Sequence, residues 1–272
     1  MSCAKAFAAM LPFLFFCSFA ESAPAPSVDD IVSKARQVLY YQERDGRFLG
    51  SLAIRDSRGQ ERLREFTILR LDKEDPADKG KKCGDQKYYI YFHKPPDVNR
   101  MAFLVWKYAD KEDDRWLYLP AVDLVKRIAA VDKRTSFVGS NFFYDDISGR
   151  DLKEDVHELL ETTPNYYVVK SVPKAPGTVE FSYYTSWIHV DSFVVVRAVY
   201  YDRQGKEYRV YDALKVEHIQ GFPTVVESRM KDLKENGESL LRFERIEYNI
   251  GLSDDIFTER YLRQPPAKFL KW

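Results

Sequence analysis

The sequence predicts a mainly β protein built on one long antiparallel sheet, and three observations carry that reading. Of 272 residues, 18 are Tyr, 18 Phe and 4 Trp, and Tyr and Phe suit a pleated, half-buried surface. Runs of about ten residues alternate with turn-forming stretches, and at roughly 3.3 Å per residue each run makes a strand near 30 Å long. The connections are too short for crossover helices, so neighbouring strands run antiparallel. No internal repeat of roughly 20 to 50 residues and no interdomain linker is present, which makes residues 21–272 one domain. The 42 Lys and Arg balance 42 Asp and Glu. That removes the electrostatic case for nucleic acid or an acidic membrane surface as a partner. An apolar content of 45% with only 12 Gly and 13 Pro excludes a disordered or collagen-like chain.

The N-terminus reads as a targeting segment. Ala6 to Ala20 is apolar except for Pro12 and Ser18, follows the single cation Lys5, and is too short to span a bilayer. Ser18-Phe19-Ala20 places small residues where a signal peptidase reads them, so residues 1–20 are expected to be a signal peptide cleaved after Ala20. A retained membrane anchor is the alternative, disfavoured by the short, Pro-interrupted core. Bulky Phe16 before Cys17 argues against lipidation. Cleavage removes Cys3 and Cys17 and leaves Cys83, in a polar loop from Asp75 to Gln86, with no internal disulfide to form. A chain of this length stabilises itself by its core instead.

The elements follow in order. Ser27 caps a helix with Asp30 completing a capping box, and Val28, Ile31, Val32, Ala35, Val38 and Leu39 lie on one face. Strands are expected over Phe48 to Asp56 and Glu61 to Asp72, around the turn Ser57-Arg58-Gly59-Gln60. Tyr88 to His93 and Met101 to Tyr108 flank Lys94-Pro95-Pro96-Asp97, where proline forbids ladder hydrogen bonds. Arg115 to Leu119 comes next. Val194 to Asp202 and Glu207 to His218 surround Arg203-Gln204-Gly205-Lys206. Thr224 to Leu233 and Ser239 to Tyr248 surround Glu235-Asn236-Gly237-Glu238, a strong hairpin signal. A short C-terminal helix is expected, capped by Ser253 and stopped by Pro265-Pro266, with Asp254 and Asp255 at its positive end and Arg260 and Arg263 at its negative end.

Polarity separates these strands into two kinds. In Glu207 to His218, Tyr208, Val210, Leu214 and Val216 alternate with Glu207, Arg209, Lys215 and Glu217, which predicts one wet and one dry face. From Tyr88 to Leu119 the alternation fails. Such strands belong to a sandwich, or they line an apolar cavity on one side while packing against something on the other; their aromatics are at least as easily read as plain core.

Catalytic and metal constellations are missing from the sequence. No GxSxG elbow, HExxH pair or Gly-rich phosphate loop occurs. His157-Glu158 lacks its second histidine, and His93, His189 and His218 stand alone as surface or satisfied core residues. Asp72, Glu74, Asp75 and Asp78 approach the spacing of a calcium loop but lack its glycine and terminal glutamate. Asp145-Asp146 and Asp254-Asp255 read as a turn and a helix cap. The expectation is a protein without catalysis, metal or cofactor.

Certain stretches resemble a known family. Asp114-Arg115-Trp116-Leu117-Tyr118-Leu119-Pro120 followed by Lys126-Arg127-Ile128, Ser136-Phe137-Val138-Gly139-Ser140 leading into Phe143-Tyr144-Asp145-Asp146, and Phe257-Thr258-Glu259-Arg260-Tyr261-Leu262 are similar to the LolA-like outer-membrane lipoprotein-sorting family, in its poorly characterised branch. The resemblance spans essentially the whole chain after residue 20. It implies a curved, half-open antiparallel β-barrel, with the N-terminal amphipathic helix and a short C-terminal helix covering the open side. It also implies a periplasmic location, a concave apolar face sheltering the acyl chains of a lipid or lipoprotein, and an inner-membrane transporter as partner. Shelter is physically required of such a carrier, since each exposed methylene costs about 0.8 kcal/mol. No ligand-binding residue of the family can be placed here one by one. Arg115, Trp116, Tyr118, Gly139 and Tyr144 are read as holding strand ends and a turn.

From the strand pattern, Phe66, Ile68, Tyr89, Tyr91, Phe103, Val105, Trp116 and Tyr118 are the candidate cavity wall, on a face set by parity that a one-residue register shift would reverse. Val28, Ile31, Val32, Ala35, Val38 and Leu39 form the candidate lid, held by apolar contact alone. Three functions compete: a non-catalytic carrier, a sensor of the same fold that regulates a membrane partner, and a lipid-modifying enzyme. The last would need a His or Asp beside a hydroxyl nucleophile in the cavity.

Overall fold

The computed structural model describes residues 25–75 and 78–272. The expected signal peptide and its cleavage after Ala20 lie outside the described residues, as do Cys3 and Cys17. So do the side chains of residues 75–83, Cys83 included, and of residues 130–131. Among the described residues no helix is long and apolar enough to cross a membrane.

Helix α1 (Val28–Tyr40) starts at the expected cap. Asp30 N donates to the Ser27 hydroxyl at 3.1 Å, and Ser27 N donates to the Asp30 carboxylate at 3.3 Å. This satisfies two of the helix's orphan backbone donors. Among the described residues thirteen strands follow: β1 (Asp45–Arg55), β2 (Glu61–Asp75), β3 (Asp78–Lys94), β4 (Ala102–Lys107), β5 (Asp114–Leu119), β6 (Leu124–Ile128), β7 (Asp155–Thr162), β8 (Tyr166–Pro173), β9 (Tyr183–His189), β10 (Val195–Tyr201), β11 (Glu207–Ile219), β12 (Phe222–Asp232) and β13 (Gly237–Tyr248). Every pairing is antiparallel, in a single sheet ordered β6-β5-β4-β3-β2-β1-β13-β12-β11-β10-β9-β8-β7.

This topology is two meanders joined where the chain's first and last strands meet. Gly46 sits opposite Tyr248 and Arg55 opposite Glu238. The join needs a close approach, because a Cβ on Gly50 would stand 2.6 Å from the Arg242 carbonyl oxygen, beside the register shift at Leu49/Gly50. β6 and β7 are left as free edges. The sheet curls far enough that Ile68 on β2 and Val169 on β8 line one chamber. It is a curved, half-open barrel, as expected. Residues 129–154 cross the gap between the edges and fold inward as a plug. A Ser136–Phe143 bridge and the short helix α2 (Tyr144–Ser148) shape this crossing.

The strands that failed to alternate are covered on both faces. On the concave side, Ile68, Ile90, Phe92, Phe103 and Val105 pack with Phe137, Phe142 and Tyr144 of the plug. On the convex side, Leu69, Tyr89, Leu104, Trp116 and Tyr118 pack with Leu252, Ile256, Phe257 and Leu262 from the C-terminal segment. The Trp106 indole donates to the Phe257 carbonyl at 2.7 Å, and the Tyr89 hydroxyl to that of Tyr261 at 2.8 Å.

The structure corrects four expectations. The polar stretch expected as a loop is largely strand: residues 78–86 belong to β3, paired near the turn end of the β2–β3 hairpin with Glu74 opposite Lys82. Strands β6 to β9, in a region where no strand is expected, complete the sheet. The C-terminal helix is broken into one 3-10 turn (Asp254–Ile256), α3 (Arg260–Arg263) and α4 (Ala267–Leu270), the last beyond the prolines. Ser253 makes no side-chain cap there. Asp254 instead bridges Lys73 at 3.0 Å and Lys87 at 2.8 Å, because the segment is shaped by docking on the sheet. Finally, β11 does not keep one wet face. Arg209 is buried, whereas Leu214 and Val216 are exposed, since register shifts around Lys215 rotate the strand's outer half.

Candidate functional site

Between the plug and the two meanders lies a chamber of about 280 Å³, near the small end of ligand-binding cavities. Strand alternation builds its apolar wall. Ser186 and Ile188 point inward from β9, Ala198 and Tyr200 from β10, Ser228 and Met230 from β12, and Leu241 and Phe243 from β13. Phe48 and Ile68 complete the wall from β1 and β2, and Val32, Ala35 and Leu39 of α1 cover it.

Of the eight wall candidates, Ile68 lines this chamber. Phe66, Phe103 and Val105 share its concave face but lie beneath the plug. Tyr89, Tyr91, Trp116 and Tyr118 face the other way, against the C-terminal segment. The eight therefore do not share one face. The parity of β3 is opposite to the one assumed, for Tyr88, Ile90 and Phe92 point inward, and a strand buried on both faces offers no polar position from which to read its register.

Among the lid candidates, Val32, Ala35 and Leu39 reach the chamber. Val28, Ile31, Val32 and Ala35 pack with Val169 and Ile188, and Val38 is half-buried. The helix is not held by apolar contact alone, however. The Tyr40 carbonyl at its end accepts from Arg70 at 2.8 Å and Gln86 at 2.7 Å, and the Tyr40 hydroxyl donates to the Asp146 carbonyl at 3.1 Å. Arg36 also lies 3.6 Å from Asp151 of the plug.

One end of the chamber is strongly polar, which the sequence reading missed. Asp146 is bonded to Arg209, and Arg134 to Glu180. Arg150 forks onto Asp155 at 2.9–3.1 Å, and Asp155 also accepts from the Tyr184 hydroxyl at 3.1 Å. Asp145 Oδ2 lies between two guanidiniums, 3.7 Å from Arg134 and 3.9 Å from Arg150. Burial pushes Asp146 up, but the charges of Arg209 and Arg134 outweigh it and hold the carboxyl below its ordinary value. Burial raises the Tyr200 phenol to about 12 and those of Tyr40 and Tyr184 well above their usual value. All three are uncharged at neutral pH. His157 Nε2 donates to the Leu152 carbonyl at 3.1 Å, which leaves Nδ1 to accept from Ser171 at 2.8 Å. Both ring nitrogens of His157 are thus occupied. The only warning of this network in the sequence was Asp145-Asp146 following aromatic residues, inside a stretch read as a turn.

A half-open barrel closed by a helix and a plug around an apolar chamber defines the LolA-like class. The model of a family described only as an uncharacterized protein matches residues 84–264, and the chain belongs to that family; its fold is LolA-like. Among solved structures it is similar to a DUF1329 family protein from Desulfovibrio piger, at 28% identity and a TM-score of 0.76, over 86% of this chain and 96% of the other. A domain named for outer membrane lipoprotein sorting, from Vibrio parahaemolyticus, matches at 20% identity and a TM-score of 0.75, over 86% and 97% of the two chains. A LolA superfamily protein from Nitrosomonas europaea matches at 19% and 0.66, over 87% and 100%. No match emerges among curated proteins.

Proposed function

We propose that the chain is a non-catalytic binding protein that shelters an acyl chain of a lipid or lipoprotein in its chamber. The observation that carries this reading is a largely apolar chamber wall beneath a helix that docks on one edge of it. Moving apolar surface out of water is worth roughly 25 cal/mol per Å², so a chamber of about 280 Å³ supplies a strong hold on a methylene chain. The signal peptide expected from the sequence supports a periplasmic location, where a chain travelling between membranes needs such cover. The resemblance to a lipoprotein-sorting fold supports transfer between membranes as its task, with an inner-membrane transporter as the partner that loads it.

The test is mass spectrometry of the protein purified without detergent from its native envelope, alongside titration with the uncharged probe N-phenylnaphthylamine. A stoichiometric acylated species and saturable fluorescence enhancement are the expected results. A protein that arrives empty and leaves the probe dark is not a carrier of acyl chains.

A further inference from the structure

The chamber's polar end restricts what the head of the bound molecule can be. Asp145 is 3% exposed and lines the chamber. Its Oδ2 atom accepts no hydrogen bond from any described residue, and its ion pairs with Arg134 and Arg150 stand at 3.7 and 3.9 Å. A buried carboxylate oxygen left without a donor bears an uncompensated desolvation cost. A ligand that brings a hydroxyl or amide N–H removes that cost.

The charges around it decide against the obvious alternative. Arginines at the end of a lipid chamber would ordinarily suggest a phosphate or carboxylate head. Here each already carries a carboxylate counter-charge: Arg134 faces Glu180, Arg209 Asp146, and Arg150 both Asp155 and Glu154, although Arg150 Nη1 and Arg36 Nε make no hydrogen bond among the described residues. Arg36, at the same end, faces Asp151 at 3.6 Å. Asp145 adds one further negative charge. An anionic head would have to displace an existing carboxylate or sit beside one, and like charges in a water-poor site repel strongly.

Resting on the binding function proposed above, we propose that this site selects acyl chains with an uncharged, hydrogen-donating head, an alcohol, glyceride or amide, with Asp145 as the acceptor. The apolar wall holds the chain, and Asp145 ranks the heads. Chain-matched ligands separate the two contributions: decanol, monodecanoylglycerol, methyl decanoate and decanoate, each displacing N-phenylnaphthylamine from delipidated protein.

Decanol and monodecanoylglycerol are expected to bind roughly tenfold or more tightly than methyl decanoate, which lacks a donor, and than the decanoate anion. In Asp145→Asn the two guanidiniums lose a counter-charge. Decanoate is then expected to gain affinity while the advantage of decanol over methyl decanoate shrinks, an inversion that loosened packing would not produce. Equal binding of all four by the wild-type protein overturns the head selection and leaves the carrier reading standing, as does tighter binding of decanoate. Binding of none overturns both. If Asp145→Asn fails to fold, the wild-type ranking alone decides.

Discussion

Arg209 and Asp146 form the most consequential pair in the interior. The guanidinium of Arg209 is 1% exposed and also donates to the Asn141 carbonyl at 2.8 Å, so β11 and the plug are fastened together at this point. Removing one partner of a buried pair leaves the other charge uncompensated. Arg209→Met is expected to cost about 3–5 kcal/mol, read as a lowered urea midpoint. A second comparison separates chamber from convex core. Ala198→Phe fills the chamber and is expected to reduce N-phenylnaphthylamine uptake, with overpacking costing about 1–3 kcal/mol. Trp116→Ala is expected to destabilise by about 3–5 kcal/mol while uptake per folded molecule is unchanged, because Trp116 packs with Trp106 and the C-terminal segment. Loss of uptake in Trp116→Ala alone would return that face to the binding site. Ile68 was legible as a chamber residue, whereas Phe243 and Leu241 were not. Their strand was read from its Asn-Gly turn, which sets its position in the sheet but not which face is concave.

Helix α1 is anchored unequally along its length. Its last turn is bonded to Arg70 and Gln86, whereas its first turns rest on Val169 and Ile188 and on the Ser27–Asp30 capping box. Opening of the chamber is therefore expected to start at the N-terminal end and pivot near Tyr40. Ser27→Ala removes the capping box and is expected to cost about 1 kcal/mol of local helix stability. Hydrogen exchange should show faster turnover of the amides of residues 31–35 with little change near residue 40. Uniform acceleration along the whole helix would remove the pivot. The plug's exit depends on Gly149, at φ +82°, where a Cβ would stand 3.0 Å from the Tyr40 ring. The capping box could be read from four residues. The plug could not, since its helix has five residues and no period to detect.

At the scale of the whole molecule, buried titrating groups bound the pH range of the fold. Asp146 and Glu180 are both held below their ordinary values, net of a burial effect that opposes this, by Arg209 and Arg134. A depressed carboxylate contributes stability at pH above its unfolded value, and that contribution is lost as pH falls through the folded value. Tyr200 is raised by burial from 10.0 to about 12, and a raised phenol contributes stability below its unfolded value that is lost as pH rises through that interval. Urea midpoints measured against pH should thus hold across neutrality, fall at acid pH below about 4, and fall again between 10 and about 12. A midpoint unchanged at acid pH would mean that the Arg209–Asp146 linkage is not part of the folded core. The sequence by itself determined a β-rich chain, its hairpin turns and its first helix, because capping, alternation and turn chemistry act between residues close along the chain. Only the tertiary structure decided which face is concave, how residues 129–154 enter the barrel and which carboxylate faces the chamber. Those features arise when β1 finds β13 nearly two hundred residues away, and a pairing that distant leaves no local pattern in the sequence.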